Sequence, residues 1–130
     1  MRKGIVSIAL IGAVMWAGTA QADAGYDSCA GKAVSNVDYS ACGAAWIARE
    51  ERRLNVAWKA LYSGLPARSK ASLLSEQRLW IAWKDKSCLW RASGDWGREG
   101  QVIAYPTCRA EVIADRADYL ERAARDLRGR

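Results

Sequence analysis

The chain has 130 residues, with seven tryptophans, four cysteines and neither histidine nor phenylalanine. Its formal charge is +6, from 20 basic and 14 acidic side chains that are interspersed rather than blocked, a pattern that does not mark a nucleic-acid binder. The missing imidazole removes the usual general base near neutral pH, the middle member of a serine triad and a frequent zinc ligand.

In chain order, the first segment reads as an export signal. Arg2 and Lys3 precede an apolar run from Gly4 to Trp16, and "AGTAQAD" places small residues at Ala20 and Ala22. This predicts a signal peptide over residues 1–22, cleaved after Ala22. The run falls short of the ~20 apolar residues of a bilayer span, and no lipobox cysteine follows it, since the first cysteine is Cys29. The mature protein is therefore expected in the periplasm or outside the cell, with no membrane span after cleavage. It forms one domain over residues 23–130, and its charge is +4 once Arg2 and Lys3 are gone.

Residues 25–37 are small and polar and read as an irregular lead-in. Asp38 is the expected cap of a first helix running to Tyr62, with Ile47, Leu54, Ala57, Trp58 and Leu61 on one face and Arg49, Glu50, Arg52, Arg53 and Lys59 opposite. Gly64 and Pro66 end it. Ser69 is the expected cap of a second helix, which places Leu73, Leu74, Gln77, Trp80, Ile81, Lys84 and Cys88 on one stripe. Here Trp80 reads as core and Trp83 as half-covering a neighbouring helix. Residues 93–106 hold three glycines and no helical period, so they predict a long loop. Thr107 is the expected cap of a third helix, with Val112, Ile113, Arg116, Tyr119, Leu120, Ala123 and Leu127 on or beside its inner face. Strand patterns are essentially absent. The expected fold is all-α: a small disulfide-stapled three-helix bundle with a long loop between helices two and three.

Cys29, Cys42, Cys88 and Cys108 form an even set in a small domain bound for an oxidising compartment, which predicts two disulfides. A hairpin of helices one and two over "SGLPAR" gathers all four at one end of the bundle. The sequence-local pairs Cys29–Cys42 and Cys88–Cys108 are favoured, with a crossed pairing left open.

Polar residues on otherwise apolar faces, namely Glu51, Gln77, Lys84, Asp85 and Arg116, are expected to form an interhelical network with Trp80, for instance Glu51 with Arg116. A buried charge is costly unless it is paired. The carboxylates Glu50, Glu51, Glu76, Asp85 and Glu111 all have basic neighbours that keep them ionised, and crosslinked cysteines leave no thiolate. The sequence thus predicts neither an enzyme nor a cofactor or metal site.

The pattern of Glu51, Leu54 and Asn55 in helix one, Gln77, Arg78, Trp80, Ile81, Lys84, Asp85 and Cys88 in helix two, then Cys108 and Arg116, resembles the LprI-type lysozyme inhibitor family across essentially the whole mature domain. The resemblance implies a small exported helical protein that binds a lysozyme or similar cell-wall hydrolase. The residues alone also fit a non-catalytic envelope interaction module or an immunity-type protein with another protein target. Within the expected loop, "RASGDWGREG", Arg91, Trp96 and Arg98 are the candidate partner-binding residues, because aromatic and arginine side chains on an anchored loop make good interface anchors.

Overall fold

The computed structural model describes residues 23–94 and 97–130; the leader assigned to residues 1–22 lies outside them. The described chain is mostly helical, and no strand occurs among the described residues. Its elements are α1 (Ala24–Ala30), α2 (Asn36–Ser63), α3 (Ala67–Arg91), a single turn α4 (Gly97–Glu99), a π-helical stretch (Gly100–Ala104) and α5 (Tyr105–Arg128).

α1 replaces the expected irregular lead-in, for three reasons. Asp23 caps it by accepting the Tyr26 N–H at 2.7 Å and also pairs with Arg49 of α2. The buried Tyr26 ring packs 5.0 Å from Trp46 of α2. Cys29 is bonded to Cys42 with 5.6 Å between their Cα atoms, an ordinary disulfide span. Apart from the Asp23 cap, these partners, Arg49, Trp46 and Cys42, lie far along the sequence in α2, so local polarity gave little sign of the helix.

The cap of α2 lies three residues before the expected one. Ser35 is the N-cap and Asp38 the third helical residue of a capping box: the Ser35 hydroxyl accepts the Asp38 N–H at 3.2 Å, and the Asp38 carboxylate accepts the Ser35 N–H at 2.9 Å. The backbone N–H of Val34 and the Ser35 hydroxyl lower the Asp38 pKa. Burial weighs against the Asp23 carboxylate, but the Tyr26 N–H and Arg49 more than offset it, so its pKa is lowered as well. Both groups bind protons less readily folded than unfolded. Their stabilisation is therefore present above the ordinary value of 3.8 and is lost as pH falls through their lower folded values. Asp23→Asn is expected to lower the melting temperature at neutral pH, with the gap to wild type closing in strong acid; a gap of constant size would contradict this.

α2 packs chiefly on α5. Leu54, Ala57 and Leu61, spaced three and four apart, meet Ile113, Ala117, Leu120 and Ala124 to form the main core. The alanines allow close approach. At Gly43 the helices come closer still, since an added Cβ would lie 2.6 Å from Cβ of Pro106, which sits in a stiff ring. Gly43→Ala is expected to destabilise: overpacking costs about 1–3 kcal/mol, against at most about 1 kcal/mol gained from helix propensity. A urea midpoint equal to or above wild type would show that the contact is slack.

α3 starts at Pro66, which gives no side-chain cap, and Ser69 lies inside its first turn. Only Ser87 and Cys88 of α3 are buried, while Leu79, Ile81, Trp83, Leu89 and Trp90 are exposed, so its apolar residues ring the helix rather than form one inward stripe. α3 lies closer to α5 than to α2, in contrast to the expected hairpin packing of the first two long helices.

The expected loop over residues 93–106 is mostly helix. The chain turns through Ala92 to Gly94, passes Gly97 at a φ of +49°, and is helical again from that glycine onward. Buried Gly100 and Val102 hold the π-helical stretch against the body. Pro106 lacks an N–H, so an ordinary i→i−4 bond is impossible there, and the wide turn falls immediately before it. The Thr107 hydroxyl does not cap α5; it donates to the Ile103 carbonyl at 2.8 Å. The second disulfide, Cys88–Cys108, with Cα atoms 5.7 Å apart, ties the end of α3 to the start of α5.

Candidate functional site

Because α3 buries so little, its polar joints to α5 decide how it is presented. The buried Arg116 donates from Nε to Gln77 Oε1 at 2.9 Å and from Nη1 to Glu76 Oε1 at 2.8 Å. Its guanidinium also lies 5.5 Å from the Trp80 ring centre and 5.1 Å from that of Tyr119. A second joint lies nearer the disulfide, where Arg109 donates to Asp85 at 3.0 Å and to the Tyr105 hydroxyl at 3.0 Å. Burial weighs against the charged form of Arg109, but Tyr105 and Asp85 more than offset it and raise its pKa. Lys84 sits 3.5 Å from Asp85 and 5.6 Å from the Trp80 ring centre.

Gln77, Trp80, Lys84, Asp85 and Arg116 are thus brought together at the α3–α5 seam. Glu51 is not part of it: it lies exposed on α2, and Arg116 is engaged by Glu76 and Gln77 instead. Sequence reasoning missed Arg109 and gave Glu76 no structural role. The available signal for Glu76 was its place beside Gln77, one helical turn before Trp80. It also missed the Arg53 cluster that joins α2 to α5 through Glu50, Asp118 and Glu121. Glu121, acting first, raises the Arg53 pKa.

Glu51 and Asn55 of α2 face Gln77, Ile81 and Lys84 of α3 across an open groove of about 290 Å³ floored by Ile113. The groove offers a carboxylate, two amides and an ammonium group as donors and acceptors, so it can hold polar groups. Among the described residues, no group of three His, Cys, Asp or Glu side chains could hold a metal, and no helix is long and apolar enough to cross a membrane.

Of the candidate partner-binding residues, Arg91 is exposed in the last turn of α3, its Nη1 3.7 Å from Cys108 Sγ, and Arg98 is exposed in α4. Trp96 lies outside the described residues. Trp83 is half-covered, as expected from sequence: one edge borders Val112, Asp115 and Tyr119 of α5, and the rest, 55% exposed, stands on the rim of a shallow depression shared with Lys86, Leu89 and Trp90. The outer face of α3 therefore carries exposed aromatic and cationic groups.

The family model described as "Lysozyme inhibitor LprI" matches residues 27–120, from α1 well into α5 and across all four half-cystines. No curated protein and no solved structure matches the chain.

Proposed function

The chain belongs to the LprI lysozyme inhibitor family, and from that premise we propose that it is an exported, non-catalytic protein that binds a lysozyme or similar cell-wall hydrolase and blocks it. The single observation that carries this reading is the family match over residues 27–120. Two disulfides suit a protein that works in the periplasm or outside the cell, after loss of residues 1–22. Arg91, exposed beside the Cys88–Cys108 bridge, and Arg98, exposed in α4, are the cations we assign to the carboxylates of a glycosidase cleft.

The test uses purified residues 23–130 with both disulfides intact. Titrated into lysozymes of several types acting on a cell-wall suspension, the protein is expected to stop clearing at a near-stoichiometric ratio. Arg98→Glu is expected to weaken the block about tenfold while leaving the melting temperature within a degree or so, because the residue is exposed. Undiminished clearing by every lysozyme at large protein excess would refute the reading.

A further inference from the structure

Within α3, Leu79, Trp83, Lys86 and Trp90 recur at intervals of four, three and four residues, which sets them on one helical face. That face points away from the core: Leu79 is 72% exposed and Trp90 70%, while Trp83, one edge of which borders α5, is 55% exposed. Between Trp83 and Trp90 the surface dips over the buried Ser87, with Leu89 and Lys86 at its edge. Across the seam, exposed Tyr119 of α5 extends the aromatic surface, supported from beneath by Arg116. Tryptophans are needed inside a small core without phenylalanine, so placing two of them on one outward stripe marks an interface.

The charges narrow what can cover it. α3 carries Arg78, Lys86 and Arg91 as exposed cations, and none of them is in an ion pair among the described residues. Its two acids are already engaged, Glu76 by Arg116 and Asp85 by Arg109 and Lys84. The face therefore has an aromatic centre and a cationic border. A second copy would bring like charges together. A surface with an apolar floor and carboxylates along its edge complements it, and the substrate groove of a glycosidase, with its pair of carboxyl groups, has that chemistry.

We propose that the outer face of α3, centred on Trp83 and Trp90 with Lys86 between them, is the surface that docks on the hydrolase, at a cleft whose apolar floor is bordered by carboxylates. This rests on the inhibitory reading above and names the face that performs it. The disulfide and the Arg116 and Arg109 joints fix α3 before binding, so little ordering is needed when the partner arrives.

The experiment measures inhibition constants of residues 23–130 against the lysozyme that the wild type blocks best. The Trp83→Ala/Trp90→Ala pair is expected to weaken inhibition about 100-fold or more and Lys86→Glu about tenfold, each with a nearly unchanged melting curve, because the side chains are exposed. Val56→Ala, at an exposed apolar site on α2, is the control and is expected to leave inhibition unchanged. If wild type inhibits and the tryptophan and Lys86 variants inhibit equally well, the docking face is wrong while the function stands. If wild type inhibits no lysozyme, the function fails and this inference fails with it. A stable dimer in sedimentation that Trp90→Ala dissolves would assign the face to a second copy and overturn the proposal.

Discussion

Replacing Cys88 and Cys108 together by alanine is expected to lower the unfolding free energy by about 3 kcal/mol and the melting temperature by roughly 10–20 °C. The bridge joins residues 20 apart, so its loss restores considerable freedom to the unfolded chain. The structural consequence is specific to α3. Its buried residues are only Ser87 and Cys88, and it packs weakly on α2, so without the bond it is held mainly by two arginine joints and the partly buried Leu73 and Trp80. The same double variant is therefore expected to lose inhibition even below its melting temperature. Removing Cys29 and Cys42 likewise restores freedom to the unfolded chain, but α1 keeps the Asp23–Arg49 pair and the Tyr26–Trp46 contact and is expected to stay docked. Thermal unfolding and hydrogen exchange of the α3 amides read both effects; rapid exchange confined to α1 in both variants would invert the assignment.

Arg116→Ala is expected to cost about 1–3 kcal/mol. Stranding the partner of a buried ion pair can cost more, but Glu76 is 52% exposed and regains water when the guanidinium leaves. Gln77 also loses its donor, and Trp80 and Tyr119 lose the cation between them. Arg116→Met restores most of the lost volume against the rings, so it is expected to recover part of the loss. A cycle with Glu76→Gln isolates the ion pair from the packing. If Arg116→Met is as stable as wild type, the residue's value lies in its apolar stem, and the polar joint does not hold α3.

Much of the fold was legible in the sequence where periodicity and chemistry agreed. Leu54, Ala57 and Leu61 on α2, and Ile113 and Leu120 on α5, carry a regular helical spacing and form the core. The cysteine count predicted two bridges, and closeness in sequence favoured the two that form, though the helical connections alone left a crossed pairing open. The failures have physical causes. Beyond its own cap at Asp23, α1 depends on an ion pair, a ring contact and a disulfide contributed by distant residues of α2, so its local sequence looked irregular. Three glycines made residues 93–106 resemble a loop, yet among the described residues only Gly97 takes a left-handed backbone, and buried Gly100 and Val102 give the rest a surface to fold against. Single-helix spacing could place Trp80 and Trp83 about one quadrant apart but could not say that α5 covers one side of α3 and leaves the other bare. Likewise Arg116 was recognisable as a buried cation in need of a partner, but the choice between Glu51 and Glu76 depends on which helix α5 faces at that level.

The most direct test of the account is oxidative footprinting of the tryptophans, with and without a saturating lysozyme, in the protein spanning residues 23–130. Trp83 and Trp90 are expected to react readily in the free protein and to be protected in the complex, while buried Trp46 stays unreactive in both. Equal labelling of Trp83 and Trp90 in the free and lysozyme-bound states would contradict it.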